Sequence, residues 1–75
     1  MVDDIDKQIE FLKRYFEGLK RVISKQRKKG LDTKIAELRM MNIPYKIRYL
    51  EVSKSKEDIK KLKILLAMVE REIPK

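Results

Sequence analysis

Apolar side chains recur at helical spacing along the first third of the chain. Successive members lie three or four residues apart, as in an a/d heptad seam, and they are Val2, Ile5, Ile9, Leu12, Phe16, Leu19 and Ile23. The apolar face is widened beyond a narrow coiled-coil stripe by Phe11, Tyr15 and Val22. Asp3 or Asp4 can cap the free N–H groups at the start, and Gly30 favours the left-handed conformation that ends many helices. We therefore predict a first helix from about Asp4 to Lys29.

A second, shorter helix is predicted after this glycine. Asp32 or Thr33 is a suitable N-cap. The residues expected to face inward are Ile35, Ala36 and Leu38, continuing to Met41. Proline lacks the backbone N–H and clashes with the preceding turn, so Pro44 ends or kinks this helix near Asn42. Pro44 is equally well placed as the first residue of a new helix.

The segment from Tyr45 to Val52 fits two patterns. Apolar and polar residues alternate over residues 43–49, which is typical of a strand. Ile43, Ile47 and Leu50 also lie at helical spacing. We favour a helix, because a lone strand has no partner elsewhere in this chain and would be unstable.

The last part of the chain predicts another long helix, from Lys56 to about Glu72. Ser55 and Asp58 before it resemble a capping box with Asp in place of Glu. Its apolar seam consists of Ile59, Leu62, Leu66, Val69 and Ile73. The chain is therefore expected to form an all-α, small helical bundle in which two long antiparallel helices are joined by a short, helix-turn-helix-like region.

Further apolar residues nearly encircle the middle of this last helix, namely Ile64, Leu65, Ala67 and Met68. One neighbouring helix cannot cover all of these faces. Either the helix is central in the bundle or part of it meets a second copy. Because a chain of 75 residues buries only about 60–65% of its surface alone, we predict a homodimer.

Composition excludes several classes of function. The 75 residues fit a single domain spanning residues 1–75 and include no His and no Cys, which removes imidazole bases, thiol nucleophiles, their metal sites and disulfides. No paired carboxylates or Gly-rich phosphate loop stand out, so we expect no enzyme, no cofactor and no small-molecule substrate.

The longest apolar run is six residues and the N-terminus lacks a secretory pattern, so we expect a cytoplasmic protein without a membrane span. Few amides and many charged residues resemble a hyperthermophile composition.

The net charge of +8 is concentrated in one stretch. Residues 1–12 carry a net charge of −3, whereas residues 13–29 carry eight basic residues and one acidic residue, a net charge of +7. Two sets of basic residues repeat every seven residues along the first helix. One set is Lys13, Lys20 and Arg27, the other is Arg14, Arg21 and Lys28, and Lys25 and Lys29 lie beside their C-terminal end. Such an array can track a phosphate backbone. The alternatives are a solvated face that maintains solubility and, less favoured, attraction to an anionic membrane.

The segment from Thr33 to Glu51 loosely resembles a helix-turn-helix. Ala36 is the small residue where two helices would cross, and Asn42-Ile43 would form the turn. On a recognition helix starting at Pro44, the candidates to face outward are Tyr45, Lys46, Arg48 and Tyr49. The alternative is a short helical connection kinked at Pro44. The tyrosines, Tyr15 included, either stack on unpaired bases or pack at the edge of the core.

The sequence favours non-enzymatic binding of nucleic acid, with duplex DNA preferred over RNA. The residues predicted to contact it are Lys13, Arg14, Lys20, Arg21, Lys25, Arg27, Lys28, Lys29, Lys46 and Arg48. The alternative is a homo-oligomeric, coiled-coil-like module for protein interaction or scaffolding. A folded piece of a ribonucleoprotein is a third possibility and would prefer RNA.

Overall fold

A computed structural model describes residues 4–75 of the chain. It contains four helices and, in that range, no strand: α1 (Asp4–Lys28), α2 (Lys34–Met40), α3 (Ile43–Ser53) and α4 (Lys56–Glu72). The predicted all-α small bundle is confirmed. Two predictions, Val2 in the first seam and Asp3 as a cap, lie outside the described residues.

The ends of the two long helices follow from their terminal residues. α1 stops one residue earlier than predicted, and Gly30 behind it has a φ of 88°, the left-handed conformation expected of a helix stop. At the start of α4, the Ser55 hydroxyl oxygen accepts a hydrogen bond from the backbone N–H of Asp58 at 3.4 Å. This is one half of the predicted capping box, and α4 has the predicted bounds.

The two short helices follow each other almost without interruption. Between α2 and α3 lie only Met41 and Asn42, both with right-handed helical backbone. Pro44 lies in the first turn of α3, where its missing N–H costs no hydrogen bond. The helical interpretation of residues 45–52 is therefore confirmed.

α2 and α3 together run antiparallel to α1. Three ion pairs join them at successive positions along the bundle: Asp6–Lys54 at 3.1 Å, Lys13–Glu51 at 2.8 Å and Arg27–Glu37 at 3.5 Å. As the residue number rises along α1, the number of its partner falls. Because both short helices obey this order, they act as one segmented rod beside α1.

α1 and α4, in contrast, run in the same direction. Their contacts, in order along the bundle, join Phe11 to Lys63, Tyr15 to Glu70 and Gln26 to Pro74. The predicted antiparallel pairing of the long helices is therefore wrong. The 7 residues of α2 and the 11 of α3 give a return path of about 27 Å, similar to the roughly 26 Å of α4. The chain thus crosses the bundle three times, and its first and last crossings are parallel.

The core lies where three apolar seams meet. Two were predicted and are buried: Ile9, Leu12, Phe16, Leu19 and Ile23 of α1, and Ile59, Leu62, Leu66 and Val69 of α4 with Ile73 just beyond it. The third seam runs through α2 and α3 as Ala36, Met40, Ile43, Ile47 and Leu50.

The predicted inward face of α2 is correct only at Ala36. Ile35, Leu38 and Met41 are 60%, 64% and 65% exposed, and Met40 is buried in their place. The buried positions 36, 40, 43, 47 and 50 keep an unbroken spacing of four and three residues across the break at Asn42. The buried face of α2 is therefore determined by its continuity with α3 and cannot be predicted from the apolar pattern of α2 alone.

Candidate nucleic-acid interface

The basic residues of α1 form two stripes with different surroundings. The inner stripe, Lys13, Lys20 and Arg27, borders α2 and α3. Lys13 Nζ lies 2.8 Å from Glu51 Oε2, and this hydrogen bond raises the pKa of Lys13. The negative charges of Glu51 and Glu10 act in the same direction, while desolvation opposes them. Lys13 is thus a positive charge held by a partner inside the chain.

The other two members of the inner stripe also have partners. Lys20 Nζ lies 5.5 Å from the centre of the Phe16 ring and 3.9 Å from a carboxylate oxygen of Glu17. Arg27 Nη1 lies 3.5 Å from Glu37 Oε1. Lys13 and Arg27 therefore connect α1 to the segmented rod, whereas the partners of Lys20 lie on α1 itself. The charge of the inner stripe is partly neutralised by these partners.

The outer stripe, Arg14, Arg21, Lys25 and Lys28, is exposed to solvent. Among residues 4–75, no carboxylate lies within ion-pairing distance of any of its four side chains. Lys29, exposed in the turn after α1, is likewise without an ion pair in that range. These side chains are available to an anion outside the chain.

The outer stripe extends along more than half of α1. The seven-residue steps between Arg14, Arg21 and Lys28 correspond to about 10.5 Å each, or about 21 Å in total. Two acidic side chains, Glu10 and Glu17, share a shallow depression with Arg14 and Arg21 near its start. The field is therefore more positive toward the C-terminal end of the helix.

Lys46 and Arg48, predicted to contact nucleic acid from a helix starting at Pro44, lie on α3, apart from the two stripes of α1. Lys46 lines a groove between α3 and α4, on the other side of α3 from the Glu51 that contacts α1. Arg48 is exposed, with no ion pair among the described residues. A helix-turn-helix crosses two helices at about 90–120°, whereas α2 and α3 follow one another along α1. The arrangement matches the alternative interpretation of a connection kinked at Pro44.

The three tyrosines also have different surroundings. Tyr15 is half-buried, and its hydroxyl donates a 2.5 Å hydrogen bond to Glu70 Oε1. That bond, together with desolvation and the carboxylate charge, raises the pKa of Tyr15 to about 12. Tyr45 and Tyr49 are 68% and 63% exposed beside the groove between α3 and α4. Tyr15 thus belongs to the packing of the bundle, and the other two do not.

Two residues of this groove were not predicted as site residues. Asp58 and Lys61 both come from α4 and face Lys46 across the groove. The four-residue spacing of Tyr45 and Tyr49 is visible in the sequence, but the contribution of α4 depends on how the helices pack.

Two other features were sought among the described residues, a metal-binding cluster and a membrane-spanning helix. Among residues 4–75 there is no group of three Asp or Glu side chains placed to hold a metal ion. None of the helices in the described range has the length and apolarity needed to cross a bilayer. Comparison with protein-family models, curated proteins and solved structures finds no match to this chain.

Proposed function

We propose that this protein binds nucleic acid without acting as an enzyme, and that the outer stripe of α1 contacts the phosphates of a DNA duplex. The observation that carries the proposal is the absence of internal partners for Arg14, Arg21, Lys25 and Lys28 among the described residues. Cations that are fixed on a rigid helix and free of internal partners can release counterions from a phosphate backbone as they bind it.

The uneven charge distribution favours this proposal over a role in solubility alone. Solubility is served by interspersed charges of both signs. Here residues 1–12 have a net charge of −3, and residues 13–29 have a net charge of +7. A single-sign field on one helix is the pattern that attracts a polyanion.

A salt titration with a labelled DNA duplex tests the proposal. If each of the four outer-stripe residues contacts one phosphate, the slope of log K against log[salt] is about −3.6. Affinity then falls about 150-fold between roughly 50 and 200 mM salt. A duplex RNA of the same sequence, used as competitor, distinguishes DNA from RNA.

The variant R14Q/R21Q removes two of the expected contacts. Its salt slope should fall to about −1.8, because each lost phosphate contact removes about 0.9. The matched control is K34Q/K56Q, which removes the same charge from the first residues of α2 and α4. Absence of duplex binding at low salt, binding without a salt slope, or equal slopes for the two variants would overturn the proposal.

A second candidate is a homo-oligomeric module for protein interaction. The observation that favours it is the exposed apolar surface of α4 and α1, where Ile64 and Met68 are 62% and 41% exposed and Phe11 is 53% exposed. Exposed apolar patches often mark interaction sites. Light scattering over a range of protein concentrations tests this candidate, and a monomer at every concentration would exclude self-association.

A further inference from the structure

We propose that the groove between α3 and α4 binds an unpaired nucleobase of a single-stranded nucleic acid, stacked on Tyr45 and Tyr49. The ligand class rests on the nucleic-acid binding proposed above. The site itself is separate, because it lies on other helices than the outer stripe and uses other residues.

The first support is that these two rings have no partner within the described chain. Three of the five aromatic side chains are engaged: Phe16 in the core, Phe11 against Tyr15 and Lys63, and Tyr15 also against Glu70. Within residues 4–75, Tyr45 and Tyr49 make no ring contact, cation–π contact or side-chain hydrogen bond. The two residues are 68% and 63% exposed, so their side chains are accessible to an external planar group.

The second support is the spacing of the rings along α3. Tyr45 and Tyr49 lie four residues apart, which places both side chains on the same face of α3. Since the two rings make no contact with each other, each can stack on a base from outside the chain. Stacking on tyrosine does not depend strongly on base identity, since every base has a π-face.

The third support is the charge around the groove. Lys46 of α3 and Lys61 of α4 border it from opposite sides and can contact the phosphates that flank the bound base. Leu65 and neighbouring leucines give it an apolar floor. Two lysines and one carboxylate border the groove, and the chain as a whole has a net charge of +8. This charge favours a polyanion over a second copy of the same positively charged chain.

Asp58 gives the groove a basis for choosing among bases. Its backbone N–H donates a hydrogen bond to the Ser55 hydroxyl oxygen. Among the described residues its carboxylate has no hydrogen bond or ion pair. Carboxylates accept hydrogen bonds from the exocyclic amino group of cytosine. Thymine and uracil lack this group, so the groove should prefer oligo(dC) over oligo(dT).

Fluorescence anisotropy of end-labelled oligonucleotides measures the binding of every variant, including Y45A/Y49A, which lacks two of the three tyrosines. The probes are single-stranded oligo(dC) and oligo(dT) of about eight nucleotides, a length within the site size of one small binding fold. The affinity of Y45A/Y49A for oligo(dC) should be lower than that of the wild type by roughly 5- to 150-fold for each ring that contacts a base.

Three further variants separate stacking from other effects. Y45F/Y49F keeps the rings and should bind oligo(dC) nearly as well as the wild type. V52A removes apolar surface from an 85% exposed position on the same helix and should have no effect. D58N should lower the preference for oligo(dC) over oligo(dT). Circular dichroism verifies that each variant is folded.

The inference is overturned if the wild type binds neither oligonucleotide, or if Y45A/Y49A binds oligo(dC) as tightly as V52A does. It is also overturned if light scattering shows a dimer that Y45A/Y49A dissociates, since the tyrosines would then face a second copy. Loss of oligo(dC) binding in Y45A/Y49A without any duplex binding would remove only the proposed role of the outer stripe. If duplex binding depends on Arg14 and Arg21 but Y45A/Y49A binds oligo(dC) like the wild type, only the proposed base-binding site in the groove is refuted.

Discussion

Replacing Leu66 by alanine should remove a large part of the stability of this bundle. Leu66 lies in α4 with no exposed surface, in the core cluster to which all four helices contribute. Truncation of a buried leucine to alanine costs about 2.7–5 kcal/mol, depending on how far the surroundings relax into the cavity. A domain of this size has a free energy of unfolding of roughly 4–11 kcal/mol. L66A should therefore remove at least about a quarter of it.

Ile64 provides the matched control, because it lies two residues earlier in the same helix and is 62% exposed. I64A should change the free energy of unfolding by no more than about 0.5 kcal/mol. Each kcal/mol shifts the Tm of a domain of this size by about 4–8 °C. Thermal unfolding followed by circular dichroism should therefore show a Tm for L66A that is at least about 10 °C below that of the wild type. Urea unfolding gives the free energies directly.

Equal losses in L66A and I64A would refute this assignment of the two faces of α4. They would mean that Ile64 is buried in solution, which requires a partner on the outer side of the helix. The Tm of the wild type would then rise with protein concentration, because association stabilises the folded state by mass action. The same pair of variants thus also tests the second candidate function.

Two further predictions concern local features. The folded-state pKa of Tyr15 is about 12 because its hydroxyl donates to Glu70, so the protonated form is favoured by folding. The stability from this group is present below pH about 10 and is lost as pH rises through about 12. Over that interval the free energy of unfolding, measured with urea, should fall less for Y15F than for the wild type. Gly30 has a φ of 88°, so G30A should lower stability by about 1–2 kcal/mol. Gly18 lies within α1 where an added Cβ meets nothing within 4 Å, so thermal unfolding of G18A should show a gain of about 0.5–1 kcal/mol.

The helices themselves were predictable because their signals are local. Seams of three and four residues, a glycine stop and a serine cap all act within a few residues of the chain, and they define α1 and α4 almost to the residue. Pro44 correctly indicated both an end and a start. These features do not depend on how the helices later pack.

The direction of the helices and the face of α2 were not predictable in the same way. Whether α1 and α4 are parallel depends on whether α2 and α3 count as one crossing of the bundle or as a connection across it, and an apolar seam has the same pattern in both directions. Ile35 and Leu38 match a helical spacing as well as Ala36 and Met40 do. The choice between the two faces is made by the continuation into Ile43.

The candidate sites, too, have features that the local sequence predicts and features that depend on how the helices pack. The basic stripes of α1 follow from residue spacing alone, but their difference in function does not. Lys13 forms an ion pair with Glu51, which lies 38 residues away in sequence. Arg14, the next residue, has no such partner among the described residues. The groove beside Tyr45 likewise takes Lys61 from a helix that only packing brings near.

The outer stripe is not equally informative along its length. Lys25 and Lys28 lie in the last turn of α1, where a positive charge stabilises the helix by interacting with its dipole. Their presence is therefore explained in part by the helix itself. Arg14 and Arg21 lie beyond the reach of that effect, which falls off within the last turn, and no carboxylate of the described chain pairs with them. As i,i+4 neighbours of Glu10 and Glu17 they stabilise α1 by only about 0.2–0.5 kcal/mol each. These two arginines are therefore the residues whose replacement most directly tests binding to an external anion.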